Sequence, residues 1–254
     1  MSAPYRQITS ADSSATLYNA QYGESYHATN EGALTESLHK HVRPAIALGN
    51  LLSRPTLRIL DLCFGLGYNT LCSLYELQNQ GFMGQIAIYS PEKDAALLQQ
   101  CATLRYPEAL HPFLPLLRTL CRDRFYESPN LRIELHIGDA HDYLYALTAR
   151  NLCFDVIYQD PFSPPKNPEL WNRAHFEALF ALLAPSGILT TYSQSARALY
   201  TAHCCGFLTY KCANAHGRDF SVCSKLALES AAPFLLKPID WNHKLQCNPT
   251  LIPF

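Results

Sequence analysis

Four acidic side chains each stand at or just after the end of a short apolar run, where a carboxylate can meet a polar ligand. They are Asp61, Glu92, Asp139 and Asp160. Carboxylates at such places can accept hydrogen bonds from hydroxyl or amino groups, or balance a positive charge. Each can also have a structural role, because an acid before a helix caps its first turn. Acids at successive run ends indicate a ligand site more strongly than any one of them does.

The segment Asp61–Thr70 predicts a strand end, a turn with two glycines and a helix start. Gly65 and Gly67 allow the backbone to approach a ligand closely, and the helix N-terminus offers free N–H groups. A dinucleotide-binding turn needs a third glycine where this chain has Thr70, and Asp61 would repel a phosphate. An acid beside this turn suits a ligand with an ammonium or sulfonium group, such as S-adenosylmethionine. The alternative is a tight turn that binds nothing.

Glu92 and Asp139 extend this prediction to a nucleoside. Glu92 comes 25 positions after Gly67 and follows the second apolar run, where an acid can accept both ribose hydroxyls. Asp139 follows Gly138 at the end of the third run, where it can reach an adenine amino group. Either acid can instead only cap the following helix, and the two roles are compatible.

The segment Asp160–Trp171 carries four prolines within eight residues. Proline stiffens a loop, so the directions in which Phe162 and Lys166 point are restricted. Because Asp160 follows a buried strand, we expect it at the edge of a sheet, beside the methyl group of a bound cofactor. The loop is therefore predicted to position an acceptor molecule, and the alternative is a rigid surface turn with Trp171 in the core.

The elements that must hold these residues alternate between strands and helices. Apolar runs at 57–63, 85–90, 131–137, 154–159 and 187–192 are separated by helical segments at 67–80, 92–104, 139–149, 169–184 and 195–204. This alternation is typical of βαβ units and a parallel sheet. Two further runs, 207–212 and 220–228, are joined by a connection too short for anything but an antiparallel hairpin. The sequence thus predicts an α/β, Rossmann-like class I S-adenosylmethionine-dependent methyltransferase fold, with a mostly parallel seven-stranded sheet closed by an antiparallel hairpin.

The flanking segments have a different character. Residues 1–50 are polar, without a strong strand period, and we expect them to form an N-terminal extension over the active site. Within it a helix is predicted from Thr35 to about His41, ended by Pro44. Residues 51–228 form the predicted methyltransferase domain, and 229–254, with four prolines, an extended C-terminal tail on the surface.

The composition excludes several classes of protein. The 254 residues include 20 Lys and Arg against 21 Asp and Glu, a formal net charge of -1. A protein that binds nucleic acid through an overall basic charge is therefore excluded, and such a role would need a local patch. The ten cysteines have no C-x-x-C or zinc-site spacing, so we expect reduced thiols and no metal. No apolar run approaches the length of a membrane span, which predicts a soluble, cytoplasmic protein.

Two segments together resemble the methyltransferase domain of the MnmC family. They are Asp61–Asn69, which reads Asp-Leu-Cys-Phe-Gly-Leu-Gly-Tyr-Asn, and Asp160–Trp171, which reads Asp-Pro-Phe-Ser-Pro-Pro-Lys-Asn-Pro-Glu-Leu-Trp. The family's second motif, an aspartate followed by Gly-Phe-Ala-Pro-Ala-Lys-Asn-Pro, two residues and Trp, is distinctive. The resemblance runs from about Tyr18 to Leu226. Two departures are Cys63, in place of the turn's first glycine, and residues 217–221, which match the family's basic hairpin only loosely.

The resemblance implies an enzyme of class EC 2.1.1, a tRNA-modifying S-adenosyl-L-methionine-dependent N-methyltransferase. That family makes 5-methylaminomethyl-2-thiouridine at the wobble position of tRNA, so the expected substrate is 5-aminomethyl-2-thiouridine in the anticodon loop. The length leaves no room for the flavin-dependent oxidase half that fused members carry. We therefore expect a stand-alone methyltransferase and a separate enzyme that supplies the aminomethyl group.

The predicted site divides into catalytic, cofactor-binding and substrate-binding residues. The predicted catalytic residue is Asp160, which takes a proton from the acceptor amine or only holds it. The predicted cofactor-binding residues are Asp61, Phe64, Gly65, Gly67, Asn69, Glu92, Gly138, Asp139 and Asp160. The predicted substrate-binding residues are Phe162 and Tyr192, which can stack on an extruded base, and Lys166 and Arg218, which can contact phosphates.

Two other functions stay open on the sequence alone. One is a methyltransferase for a small-molecule or protein amine, which the cofactor motifs do not exclude. The other is a binding module that keeps the fold without catalysis, because Cys63 has altered the cofactor turn.

Overall fold

A computed structural model describes residues 5–213 and 219–254. Twelve strands are found in these residues, three in a small N-terminal sheet and nine in a large sheet. The strands are β1 (Tyr5–Thr9), β2 (Ala15–Asn19), β3 (Glu24–Ser25), β4 (Thr56–Leu62), β5 (Gln85–Glu92), β6 (Phe125–Ser128), β7 (Leu131–Ile137), β8 (Phe154–Gln159), β9 (Leu183–Thr191), β10 (Leu208–Ala213), β11 (Phe220–Ser224) and β12 (Leu235–Pro238).

The large sheet has the order β12-β10-β11-β9-β8-β4-β5-β7-β6. Its central strands β9, β8, β4, β5 and β7 are parallel, while β11 and β10 return as the predicted antiparallel hairpin. The predicted α/β class and the seven strands from β7 to β10 are confirmed. The number seven for the whole sheet is wrong, because short antiparallel strands β6 and β12 pair with its two edges.

Helices cover both faces of the large sheet. They are α1 (Ala33–Glu36), α2 (Arg43–Leu48), α3 (Tyr68–Asn79), α4 (Leu97–Thr103), α5 (Leu114–Asp123), α6 (Ala140–Ala149), α7 (Arg173–Leu182), α8 (Ala196–Cys204) and α9 (Trp241–Cys247). Strand β4 explains why two layers form, since its side chains alternate between the faces. Leu57 and Ile59 pack in the core beneath α1 to α5, whereas Leu60 and Leu62 pack in the core beneath α6 to α9.

The N-terminal region is more ordered than its composition suggests. Strands β1, β2 and β3 form an antiparallel sheet, although no strand period was expected there. The predicted end of a helix at Pro44 is wrong: α1 continues through the π-helical turn Ser37–Val42 into α2, and Gly49 ends the helix. Proline is tolerated because it occupies the first turn of α2, where its missing N–H costs little.

The C-terminal segment is not simply extended, which corrects the prediction for 229–254. Strand β12 pairs with β10 at the edge of the sheet, and α9 follows it. The buried Trp241 holds α9 in place, because its ring packs in the core and its Nε1 donates a hydrogen bond to Oγ1 of Thr209 at 2.9 Å. Pro238 ends the edge strand, where a missing N–H is acceptable.

The topology determines where a ligand can bind. The chain leaves β4 for β5 on one side and later places β8 on the other side of β4. Helices leaving such neighbours diverge and open a crevice at the carboxyl ends of the strands. All four acids named above lie at that edge. In the described part of the chain, no helix is long and apolar enough to cross a membrane.

Two glycines with left-handed backbone, Gly67 in the turn after β4 and Gly81 just after α3, allow a direct stability test. Gly67 has φ of 74°, and an added Cβ would lie 2.8 Å from Cζ of Phe64, whereas Gly81 has φ of 72° and open space around it. We expect Gly81→Ala to cost about 1 kcal/mol, from the backbone alone. Gly67→Ala should cost about 2–4 kcal/mol, because the Phe64 ring must also move.

Denaturant unfolding of both variants measures this difference. Equal losses of unfolding free energy at the two positions would contradict the crowding that the structure shows at Gly67.

Candidate active site

A cavity of about 850 Å³ opens at the carboxyl ends of the central strands, under the N-terminal sheet. Its wall on one side comes from the turn after β4 and the ends of β5 and β7. The other side comes from the loop after β8, the end of β9 and the segment that leads into α1. The volume falls within the range of ~300–1,000 Å³ that is typical of small-molecule sites.

The turn after β4 forms the floor of the first side. Cys63 and Gly65 both line the cavity and both have positive φ, 69° and 55°. Left-handed backbone is costly for a residue with a Cβ, so Cys63 keeps the turn geometry that a glycine would adopt more easily. A cysteine at this position is therefore compatible with the left-handed backbone that a glycine would favour.

Glu92 lies buried beside this turn, at the end of β5. Its Oε2 accepts a hydrogen bond from the Gly65 N–H at 2.8 Å, and its Oε1 accepts one from the Asp94 N–H at 2.8 Å. Burial raises the pKa of Glu92 to about 7, and the backbone donors only partly oppose this effect. The carboxyl lines the cavity without a cationic partner among the described residues.

Asp61 and Gly67 are in the predicted segment but do not line the cavity. Asp61 is completely buried beneath the turn, where Oδ2 accepts a hydrogen bond from Thr70 Oγ1 at 2.7 Å. Its Oδ1 has no hydrogen-bond partner in the described structure. Burial, helped by the nearby charge of Asp160, raises the pKa of Asp61 to about 7. Asp61 therefore affects the cavity only indirectly, through the electrostatic field of its carboxylate and through the turn that it supports.

The end of β7 contributes Gly138 and Asp139 to the wall. Asp139 caps α6, since its Oδ1 accepts a hydrogen bond from the His141 N–H at 2.9 Å. Its Oδ2 lies 3.4 Å from Nζ of Lys93, and both side chains are well exposed at the cavity rim. The cap that sequence reasoning offered as an alternative is present, and the carboxyl also faces the cavity.

Asp160 occupies the junction of the two sides, directly after β8. Its Oδ2 accepts a hydrogen bond from Nδ2 of Asn69 at 2.8 Å, and its Oδ1 lies 3.4 Å from Nε2 of His41. Only 11% of its side chain is exposed, and the residue lines the cavity. Asn69 lines the same cavity, and its buried Oδ1 has no hydrogen-bond partner in the described residues. A buried amide oxygen without a partner points to a polar group that the described residues do not supply.

The proline-rich loop after Asp160 is held rigidly. Trp171 is buried and its Nε1 donates to the Phe162 carbonyl at 2.8 Å, while the Tyr192 hydroxyl donates to the Pro161 carbonyl at 2.9 Å. Tyr192 thus lines the cavity with its hydroxyl already bonded. Lys166 is exposed and does not line the cavity. Its Nζ lies near Gly23, whose chain neighbours Tyr22 and Glu24 do line the cavity. Arg218 lies outside the described residues.

Phe162 is stacked on a partner that sequence reasoning did not identify. The ring of Tyr22 lies parallel to it, with centroids 4.5 Å apart and planes at 25°, and Tyr26 packs on it at 5.0 Å. All three rings line the cavity. The aromatic-rich stretch from Tyr18 to His27 was the available sequence signal, but only the fold brings it against the loop after β8.

The N-terminal sheet is attached to both sides of the cavity. Glu24 accepts hydrogen bonds from the backbone N–H of Ser163, at 3.1 Å, and from its hydroxyl. The Tyr5 hydroxyl donates to Asp94, next to the end of β5. The same short sheet therefore contacts the side that carries Glu92 and the side that carries Asp160.

A buried ionic cluster supports the segment leading into α1. Nζ of Lys40 lies 2.9 Å from Oε2 of Glu31 and 3.1 Å from Oε1 of Glu36, and Nδ1 of His27 lies 3.6 Å from Glu36. Although burial opposes ionisation, the His27 hydrogen bond and the Lys40 charge hold the pKa of Glu36 at about 2. These carboxylates are compensated within the protein.

The cavity as a whole is strongly acidic. Its described lining holds nine carboxyl groups against two lysines, Lys40 and Lys93. The nine are Glu24, Glu31, Glu36, Glu92, Asp94, Asp139, Asp160, Glu169 and Asp219. Such a field attracts cations and repels phosphate. Among the described residues, no group of three or more His, Cys, Asp and Glu is arranged to hold a metal ion.

Comparisons with known proteins agree with this geometry. A family model described as S-adenosyl-L-methionine-dependent methyltransferase matches residues 105–216. The crystal structure of MnmC2 from Aquifex aeolicus superposes with a TM-score of 0.82 and 29% identity, covering 98% of this chain and 78% of that one. An uncharacterised protein of Methanocaldococcus jannaschii is 25% identical over 79% of this chain and 54% of its own length.

A bifunctional tRNA 5-methylaminomethyl-2-thiouridine biosynthesis protein, MnmC of Ralstonia nicotianae, is 27% identical over 70% of this chain. The matched region is 28% of that protein, so this chain spans only a part of its length. The cavity at the carboxyl edge and the acid at the end of β5 are consistent with these similarities. This chain is similar to MnmC2 over nearly its whole length, and residues 105–216 match a family of S-adenosyl-L-methionine-dependent methyltransferases.

Proposed function

We propose that this protein methylates the primary amine of 5-aminomethyl-2-thiouridine at the wobble position of tRNA, giving the 5-methylaminomethyl form. The observation that carries the proposal is the acidic cavity, with Asp160 aimed into it between Asn69 and His41. A primary ammonium group is attracted into such a cavity, whereas the phosphates of a polynucleotide must stay outside it.

The residues present fit S-adenosyl-L-methionine. The Glu92 carboxyl would hold the ribose hydroxyls, and the unsatisfied Oδ1 of Asn69 offers an acceptor to the ammonium group of the methionine part. Asp139 at the opposite rim would meet the adenine amino group. When bound, this cofactor supplies a methyl group on a positively charged sulfur.

Asp160 would prepare the acceptor for that methyl group. A primary alkyl amine resembles lysine, with a reference pKa of about 10.4, so it arrives protonated and cannot act as a nucleophile. A carboxylate next to the ammonium group can hold it in line with the sulfonium and take its proton. Only 11% of the Asp160 side chain is exposed, so little bulk water competes for this contact.

The aromatic cluster would position the base that carries the amine. Bases of single-stranded RNA are commonly stacked on aromatic rings, and Tyr22, Tyr26 and Phe162 offer such faces on the same side as Asp160. Lys166, and Arg218 outside the described residues, would contact phosphates of the anticodon loop. A separate activity would supply the aminomethyl group.

Methylation of tRNA from a strain that lacks the final methyl group tests this function. Labelled cofactor should transfer its methyl to that tRNA, and nucleoside analysis should find the methylaminomethyl form at the wobble position. No transfer to this tRNA, together with transfer to a metabolite or protein extract, would overturn the proposal.

A second candidate is methyl transfer to a small-molecule or protein amine. It is favoured by the same acidic cavity, since the attraction extends to any primary ammonium group. Comparing tRNA with the metabolite and protein extract as methyl acceptors separates the two candidate functions. Only the true class of acceptor should be labelled at a rate that saturates at a low concentration of acceptor.

Substitution of Asp160 tests its catalytic role. Asp160→Asn keeps the size of the side chain and an oxygen for the Asn69 hydrogen bond but removes the proton acceptor. We expect kcat for the aminomethyl tRNA to fall by about 100-fold or more. Asp142→Asn, an exposed acid on α6, is the matched control and should keep the parent rate. A rate for Asp160→Asn within a few-fold of the parent would contradict the role.

The raised pKa of Glu92 predicts a pH-dependent affinity for the cofactor. Burial raises this pKa to about 7, so the carboxyl becomes protonated as the pH falls below 7 and loses acceptor capacity for ribose hydroxyls. Calorimetric titration at pH 6 and pH 8 should find binding about fivefold to tenfold tighter at pH 8. Glu92→Gln should bind weakly at both pH values, with the difference reduced. An unchanged pH dependence in this variant would assign the effect to another group, such as Asp61.

Lys166 is predicted to contact a tRNA phosphate. Lys166→Ala should weaken tRNA binding and reduce the slope of log affinity against log salt by about one. Lys244→Ala, on α9, removes the same charge from a helix that does not line the cavity and is the control. A slope that Lys166→Ala leaves unchanged would remove this contact from the proposed interface.

A further inference from the structure

His41 is a completely buried histidine whose ring joins Asp160 to the sheet. Its Nδ1 lies 3.1 Å from Oγ1 of Thr190 on β9, and its Nε2 lies 3.4 Å from Oδ1 of Asp160. Nε2 makes no hydrogen bond to any described residue in this arrangement. A buried imidazole nitrogen that faces a carboxylate and has no other partner requires an explanation, because leaving it unsatisfied costs stability.

The π-helical turn Ser37–Val42 places this ring. Its residues pack against α3 and β9, and it carries the adjacent residues Lys40 and His41. Lys40 belongs to the ionic cluster with Glu31 and Glu36, while His41 is directed to Asp160. π-Helical turns are rare and occur frequently at functional sites. In a regular α-helix, the Lys40 and His41 side chains would point in other directions around the helix axis. The π-helical turn therefore determines both contacts.

Two carboxyl groups, an aromatic ring and a hydroxyl surround the His41 ring. Asp160 faces it from the loop after β8, and the Asp61 carboxyl from the end of β4 interacts with its charge. The Tyr158 ring on β8 packs edge-on, with centroids 5.8 Å apart, and Thr190 on β9 is neutral. From α3, Asn69 reaches the other oxygen of Asp160. The lysine next to His41 is already paired with two carboxylates.

We infer that His41 is a positioning residue for Asp160 that receives the proton Asp160 takes from the acceptor amine. This inference rests on the proposed methylation of an amine, whatever molecule carries that amine. With Nδ1 bonded to Thr190, the ring offers Nε2 to the carboxyl, and a proton passed to it leaves Asp160 ionised beside the new product. Asp160 is thus neutral only while it passes the proton on, and it is ionised again when the methyl group is transferred.

The proton balance explains why such a residue is useful. The acceptor enters as an ammonium ion and loses one proton through Asp160 to Nε2 of His41. The neutral nitrogen then forms a bond to the methyl carbon while the bond from that carbon to sulfur breaks, and the electron pair stays on sulfur. The product is a protonated secondary amine and a neutral thioether, so one proton in total is released and must leave the cavity.

The kinetic test compares the parent with His41→Gln from pH 6 to pH 9.5. At pH 7 we expect kcat to fall by about tenfold to 100-fold, with cofactor affinity by calorimetry unchanged. The loss should shrink as the pH rises, because the free amine then forms without the relay. His39→Gln, the same change two residues away at a histidine that contacts Arg43 and does not line the cavity, is the matched control and should keep the parent profile. An equal loss at every pH, or no loss, would overturn the inference.

A second measurement does not depend on the acceptor or on folding of His41→Gln. The parent and the Asp160→Asn variant are both prepared with ¹⁵N-labelled histidine. The Nε2 resonance of His41 should differ between the two proteins, whereas the ring resonances of His203, on α8, should be the same in both. An Nε2 resonance that ignores Asp160 would overturn the inference. If Nε2 responds and the parent methylates no amine, the proposed function fails and the contact between His41 and Asp160 stands.

Discussion

The active site depends on burying carboxyl groups whose partners are neutral. Asp61 is bonded to the Thr70 hydroxyl, Glu92 to two backbone N–H groups, and Asp160 to the Asn69 amide. None of these donors cancels a negative charge, so the cost of burial appears as raised pKa values at Asp61 and Glu92. A cation that enters the cavity reduces this cost. A preference for cationic ligands is therefore a property of the scaffold itself.

In the N-terminal segment, in contrast, a buried carboxylate has cationic partners. Glu36 is also buried, but Lys40 and His27 compensate it, and its pKa is held at about 2. That cluster fixes the helix from which His41 reaches Asp160. Ion-paired carboxylates thus fix the segment that leads into α1, whereas Glu92 and Asp160 line the cavity with neutral donors as hydrogen-bond partners. The distinction explains how one cavity can contain so many acids and still have a defined shape.

The two halves of the site are joined by the small sheet β1–β3. Glu24 holds the proline-rich loop through Ser163, and Tyr5 is bonded to Asp94 beside the cofactor half. Tyr22 completes the aromatic stack with Phe162. The small sheet and the large sheet together therefore fix the distance between the loop after β8 and the turn after β4. In-line displacement requires this kind of fixed separation, since positioning provides most of the catalysis.

The sequence by itself determined the central sheet, because period-2 apolar runs, intervening helices and a short final connection allow few topologies. It also located Glu92, Asp139 and Asp160 at the edge where ligands bind, since strand ends are local features. Only the tertiary structure decided which residues from the polar N-terminus meet them. Tyr22 and Glu24 line the cavity, and the buried His41 reaches Asp160, through contacts across more than a hundred positions of the chain that no local pattern specifies. It likewise decided that Asp61 lies beneath the cavity, because one residue of register separates a side chain that faces a ligand from one that faces the core.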